Sequence, residues 1–242
     1  MNTPGTALIT GGTANLGLAI AHRLAADGWD LILNYAHDGT RARHARQQLE
    51  RSDVAVRAIR ADVTDAAEVA RLFREATSAA PVDLLVNNAG AFLAKPFLET
   101  SPEEWDRLLA INLLSAVHCC REVLPGMRAH GAGSIVFVSS MHSDRFRATP
   151  TTLPYSIAKS GLVAMTKTLA KTEGPYGIRV NAVCPGFIDT DGGQNPSGIE
   201  ERIPLRRLGR PSEIAAVVGF LASDEASYVT GEILNTHGGA LL

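Results

Sequence analysis

Short apolar runs alternate with longer amphipathic stretches from one end of the chain to the other. The runs fall at residues 6–10, 30–35, 54–59, 82–87, 134–139, 178–183 and 232–235. They are rich in Val, Ile and Leu, and several lack polar alternation, as strands buried on both faces do. Between them lie helical candidates at 16–27, 41–51, 66–79, 102–129, 154–173 and 212–222. This alternation predicts an α/β architecture: a doubly wound, seven-stranded, mostly parallel sheet with helices on both faces and right-handed crossovers. No linker, repeat or low-complexity segment interrupts it, so a single domain over 1–242 is expected. Dense loop chemistry at 190–198 predicts a lid or substrate loop around 190–203, near the carboxyl end of a strand, with a plain surface connection as the alternative.

Bulk composition narrows the function. The 242 residues are 45% apolar and 20% charged, enough to bury a core without disulfides. The net charge of −2 provides no general field for nucleic acid or an acidic membrane, and neither partner is expected. The three cysteines, Cys119, Cys120 and Cys184, form no C-x-x-C pair, which argues against disulfide scaffolding and a metal site and fits a reducing compartment. The first residues lack a signal-peptide pattern, and no uninterrupted apolar run reaches roughly 18 residues. A cytoplasmic protein acting on a small molecule is the expectation.

The first strand runs into Thr10-Gly11-Gly12-Thr13-Ala14-Asn15-Leu16-Gly17, and a helix follows directly. Glycine permits a tight turn and close approach to a pyrophosphate, while the helix start offers free N–H groups and positive partial charge. An ordinary strand–helix turn can also carry two glycines, so the turn alone decides little. At the end of the second strand Tyr35 stands where a ribose-binding carboxylate would discriminate for NAD. His37, Arg41 and Arg43 lie just beyond and suit a 2′-phosphate, so NADP(H) is favoured over NAD(H). Asp38 is the residue that speaks the other way, and a solvated helix start is the plain alternative for the two arginines.

The chemistry concentrates at Tyr155-Ser156-Ile157-Ala158-Lys159, just after Pro154, a good first-turn residue. Positions four apart share a helix face, so phenol and ammonium point the same way. A free tyrosine titrates near 10, too high for a proton shuttle at neutral pH; an ammonium ~4 Å away at an effective dielectric of 20 attracts a phenolate by about 4 kcal/mol. The spacing therefore predicts a lowered Tyr155 pKa.

Thr10-Gly11…Gly17, Asn87-Asn88-Ala89-Gly90, Tyr155…Lys159 and Pro185-Gly186 occur in the order found in the short-chain dehydrogenase/reductase family, which the chain resembles from residue 6 to 239. It is most similar to the compact branch that includes 3-oxoacyl-[acyl carrier protein] reductases. The resemblance implies a Rossmann-like fold and a tetrad of Asn112, Ser140, Tyr155 and Lys159. Tyrosine would exchange the proton with the substrate oxygen, lysine hold the nicotinamide ribose, serine bind the carbonyl, and asparagine anchor a proton-relay water. It implies a cofactor site of Gly11, Asn15, Leu16, Gly17, Tyr35, His37, Asp62, Val63, Asn88, Ala89, Gly90, Tyr155, Lys159, Pro185, Gly186, Ile188 and Thr190. Asp62-Val63 would meet adenine, and Ile188 and Thr190 the carboxamide. Relatives are oligomers, so a homotetramer or dimer is expected.

Some residues keep plainer readings. Ser139 and Ser140 could simply satisfy backbone, with Ser143 a rival to Ser140; Asn112 could mark a helix kink; His142 could be inert. Asn15 departs from the family's middle glycine, and His237 stands where an aspartate is frequent. The expected activity is hydride transfer between NADP(H) and a carbonyl/alcohol pair with Tyr155 as general acid/base. The alternatives are a C=N reductase for imines or pterins on the same site, and a non-catalytic nucleotide-binding protein on the same fold. The cleft walls expected at Phe92 to Phe97, Ser143 to Leu153 and the 190s loop carry no readable charge pattern.

Overall fold

A computed structural model of the chain describes residues 5–50, 53–144, 149–190 and 195–241. Seven strands, β1 Thr6–Ile9, β2 Asp30–Tyr35, β3 Val56–Arg60, β4 Leu84–Asn87, β5 Gly133–Val138, β6 Ile178–Pro185 and β7 Ile233–Thr236, form one sheet in the order β3-β2-β1-β4-β5-β6-β7. Every pairing is parallel, so the expected mostly parallel sheet is wholly so. The chain order reverses between β1 and β4, and a crevice for ligands opens at the carboxyl ends of strands beside such a switch point.

The helices are α1 Asn15–Ala26, α2 Gly39–Leu49, α3 Ala66–Ala76, α4 Pro102–Leu109, α5 Ser115–His130, α6 Leu153–Glu173 and α7 Pro211–Ala222. Alternate strand residues feed two cores. Leu8, Leu85, Ile135 and Phe137 meet Leu72, Cys119, Val123 and Leu162 of α3, α5 and α6 on one face. Ala7, Ile9, Leu84, Val86 and Val136 meet Ile20, Leu24, Leu49, Ile214 and Val218 of α1, α2 and α7 on the other. This two-sided burial is why the strand runs lack polar alternation.

The predicted helix over 102–129 is not one continuous α-helix. α4 starts on a capping box, with Ser101 and Glu104 each bonding the other's backbone. A π-turn at Ala110–Leu114 then separates it from α5. Within the combined stretch Pro102–His130, one 18-residue window reaches mean hydropathy 1.3, long and apolar enough by composition to cross a membrane, a property that a search for unbroken apolar runs misses. Its apolar face, including Leu108, Ala116, Cys119, Val123 and Met127, is buried in the fold. The remaining helices match their predicted ranges to within a few residues; 51, the expected end of α2, lies outside the described residues.

Phe137 is fully buried in the α3/α5/α6 core. Truncating it to alanine removes the largest fully buried side chain of that layer, with an expected loss of about 3–5 kcal/mol. Urea denaturation of Phe137→Ala checks this as a drop in midpoint at unchanged slope.

Candidate functional site

The carboxyl ends of β1 and β4 are tied together by two side chains. Thr10 Oγ1 accepts hydrogen bonds from the Asn88 and Ala89 amides at 2.9 and 3.0 Å. The Asn88 amide group donates to the Thr10 and Gly11 carbonyls at 3.0 and 3.2 Å. Asn88 therefore spends its amide N–H groups on shaping the glycine turn. Asn34, 2% exposed on β2, adds a third anchor, accepting from Gly11 N and donating to the Ala61 carbonyl.

Within this frame the turn closes sharply. Gly11 has φ +61°. A Cβ on Gly17 would lie 2.1 Å from the Gly11 carbonyl oxygen and 2.7 Å from Asn88 Nδ2, so only glycine fits. Asn15 also takes a left-handed conformation, φ +47°, which asparagine tolerates better than most residues. α1 has no side-chain N-cap bond and no acidic residue in its first turn, leaving its leading N–H groups for an anion. Leu16 lies beside the turn, partly packed into the α1/α7 core. This cradle fits a dinucleotide pyrophosphate.

At the β2 end, Tyr35 is half-buried and His37, Arg41 and Arg43 are exposed. Asp38 caps α2, accepting from Arg41 N at 2.9 Å, and its carboxylate lies 3.6 Å from Arg41 Nε. Arg43 donates to Thr40 Oγ1. At the β3 end, Asp62 accepts from the amide and hydroxyl of Thr64, which hold its carboxyl below the usual range. Val63 turns its side chain into the core, leaving its backbone for any ligand contact.

Asn112, 1% exposed, sits inside the π-turn. Its amide donates to the Ala91 and Leu108 carbonyls at 2.8 and 3.0 Å, and its carbonyl accepts from Ala91 N at 3.2 Å. The helix is indeed interrupted at Asn112, and the local widening of the π-turn lets this side chain reach across to the loop after β4. A Cβ on Gly90 would lie 2.7 Å from Asn112 Oδ1 and 3.4 Å from Lys159 Nζ, so the three residues converge on one point.

Lys159 is 4% exposed on α6 and donates to the Val138 carbonyl at 2.8 Å. The β5 end also binds α6 through Ser139 Oγ, which donates to the Lys159 carbonyl at 2.8 Å. Ser140 hydrogen-bonds Tyr155. Burial pushes the Lys159 ammonium down to about 8, against a small opposing pull from Cys184.

The expected lowering of the Tyr155 pKa does not occur. Burial pushes the phenol up, outweighing the Ser140 hydrogen bond that favours the ionised form. The ammonium lies 5.8 Å from the Tyr155 ring centroid and is engaged by Val138, so its attraction does not offset desolvation. Phe92 packs edge-on against Tyr155, centroids 5.2 Å apart at 83°, a contact worth about 0.5–1.5 kcal/mol beyond area burial.

The segment after β6 completes this side of the crevice. Pro185 is buried, and Gly186 passes so close to His237 that a Cβ would lie 2.7 Å from its Cα. Ile188 bridges to Gly209, and Asp189 N donates to the Gly209 carbonyl. Asn195 Nδ2 donates to the Ile188 carbonyl at 2.9 Å, and Thr190 is half-buried. Of the expected substrate loop, 191–194 lie outside the described residues, and of the expected cleft wall Ser143 to Leu153, so do 145–148. Ser143, the rival to Ser140, is buried with its hydroxyl unpartnered among the described residues.

Sequence reasoning missed Asn34 as a positioning group, although a polar residue in a strand buried on both faces was the signal, since an unpaired amide there is costly. The reading of Ser139 as satisfying backbone holds, through its bond to the Lys159 carbonyl.

A family model described as enoyl-(acyl carrier protein) reductase matches residues 12–240. The 3-oxoacyl-[acyl-carrier-protein] reductase of Staphylococcus epidermidis is 35% identical over 240 residues, 97% of this chain and 98% of that protein. The chain is a short-chain dehydrogenase/reductase. This short-chain dehydrogenase/reductase is also 37% identical over 240 residues to an acetoacetyl-CoA reductase of Rhizobium meliloti, covering 96% of this chain and 97% of that one. A short-chain dehydrogenase/reductase from Serratia marcescens has the same fold, with TM-score 0.92, 33% identity and 98% of each chain covered. The chain is accordingly an NAD(P)-dependent enzyme of the oxidoreductase class.

The buried ammonium has a stability signature. Its pKa falls from 10.5 to about 8 on folding, so between those values the unfolded chain binds the extra proton. Stability must rise with pH across that window. The expected outcome is that wild type gains stability relative to Lys159→Met from pH 8 to 10, in paired denaturant titrations. A constant difference between the two proteins would contradict the burial described.

Proposed function

We propose that the enzyme reduces ketones or aldehydes with NADP(H), reversibly, using Tyr155 as general acid/base. The observation that carries this reading is the convergence of Tyr155, Ser140, Lys159 and Asn112 beside the glycine turn at the switch point. A phenol held above its ordinary pKa stays protonated at neutral pH and is poised to donate to a developing alkoxide. With substrate present, the Ser140 hydroxyl would turn its one proton from the Tyr155 oxygen to the same substrate oxygen and stabilise its charge. Lys159, near 8, is close enough to neutral pH to return a proton toward the phenol. Asn112 fixes Ala91 and the backbone that approaches the reacting centre.

Gly11, Asn15, Leu16 and Gly17 would cradle the pyrophosphate; Asp62, Val63, Asn88, Ala89 and Gly90 would flank the adenosine side. Pro185, Gly186, Ile188 and Thr190 would flank the nicotinamide, with Lys159 and Tyr155 at its ribose. Bound there, the dinucleotide supplies or takes up the hydride. Tyr35, His37, Arg41 and Arg43 would receive the 2′-phosphate; Asp38 supports this choice because it is committed to capping α2 and steadying Arg41. The whole chain then acts as one catalytic domain, with 190–203 as its substrate loop. Three buried free cysteines suit a reducing, cytoplasmic setting. By the family resemblance, the enzyme would be a homo-oligomer, tetramer or dimer.

Tyr155→Phe removes the proton donor and keeps the ring. Its kcat with a ketone substrate is expected to fall by about 10²–10⁴ with NADPH affinity unchanged. Steady-state NADPH oxidation and fluorescence binding measure the two; undiminished turnover would end the proposed mechanism. Replacing Arg41 and Arg43 together by alanine is expected to raise the KM for NADPH by about tenfold or more and leave that for NADH nearly unchanged. Equal effects on both cofactors would remove the 2′-phosphate assignment.

A further inference from the structure

We propose that Phe92 is a specificity-determining residue that selects ketones carrying an apolar alkyl or aryl substituent. This rests on the carbonyl-reduction reading above and names the substrate class for that site. Phe92 follows Ala91, whose N–H and C=O are both bound by the buried Asn112 amide. Its backbone neighbour is thus tied to the residue at the centre of the crevice, and its ring packs edge-on to Tyr155 at 5.2 Å. Even so, the side chain remains 56% exposed. Single exposed apolar residues need no explanation. A phenyl packed edge-on against the reacting phenol, with half its surface free, is different, because a substituent on the substrate carbon can cover it.

The surroundings point the same way. Phe97 and Leu98, further along this loop, are 59% and 93% exposed, and Phe97 packs edge-on against Trp105. Lys95, between Phe92 and Phe97, has its ammonium held by Glu104 at 2.9 Å, which satisfies its charge locally. The Lys95 amide bonds the Thr151 carbonyl at 2.6 Å, clamping this loop to the segment entering α6. A fixed aromatic surface rewards apolar area and gives a polyhydroxylated chain no hydrogen-bond partner.

The test is a homologous series of straight-chain methyl ketones, butanone to octanone, assayed with NADPH on wild type, Phe92→Ala and Phe92→Leu. Wild-type kcat/KM is expected to climb about two- to fourfold per methylene. Phe92→Ala should flatten that slope, losing about tenfold or more on octanone and less than about threefold on butanone. Phe92→Leu should keep most of the slope, and NADPH affinity should be the same in all three proteins. A uniform loss across the series, a preserved slope in Phe92→Ala, or better turnover of a polyhydroxylated keto acid than of octanone would overturn this proposal alone. If wild type oxidised NADPH with no ketone or aldehyde at all, the carbonyl-reduction reading would fall and this one with it.

Discussion

The crosslink between the carboxyl ends of β1 and β4 is the constraint on which the site depends. The side chains of Thr10 and Asn88 make four hydrogen bonds across the point where the sheet order reverses, two between these residues and one each to Ala89 N and the Gly11 carbonyl. Parallel strands splay at their ends, and a crevice that opened freely there would leave the glycine turn without a fixed shape. Because both partners are short, neutral side chains bonded to backbone, the tie loses little rotamer entropy and creates no buried charge. The close approach at Gly17 and the left-handed Gly11 follow from it.

A second set of ties runs from the sheet to the helices that carry the chemistry. Asn112 reaches from the π-turn to Ala91, Ser139 from β5 to the Lys159 carbonyl, and Lys159 back to the Val138 carbonyl. These contacts place groups from four separated stretches of sequence within one crevice. A buried polar network of this kind rigidifies when every member is satisfied. Rigidity matters here because the proposed chemistry rewards positioning more than flexibility.

Much of this was readable in the sequence, for identifiable reasons. Strand runs such as 30–35 and 178–183 announce themselves because burial on both faces removes polar alternation. The i,i+4 spacing of Tyr155 and Lys159 dictates a shared helix face whatever the surroundings. The π-turn at Ala110–Leu114 was not readable as such, because one widened turn barely disturbs a helical pattern; only a polar Asn112 in an apolar stretch hinted at it. The direction of the Tyr155 shift was misjudged because spacing reports the ammonium's nearness, whereas the outcome depends on desolvation and on the carbonyl that engages Lys159. Asn34 lacked any motif, and its role emerges only once β3 lies beside β2.

Asn15 shows how the turn admits variation. Its backbone already occupies a region that glycine enters freely and asparagine at modest cost. Exchange between those two residue types would leave the loop path intact while adding or removing one carboxamide at the rim. Branched side chains are barred from the same spot. Evolution can therefore tune polarity at the entrance to the nucleotide cradle through a very small alphabet, without redrawing the scaffold behind it.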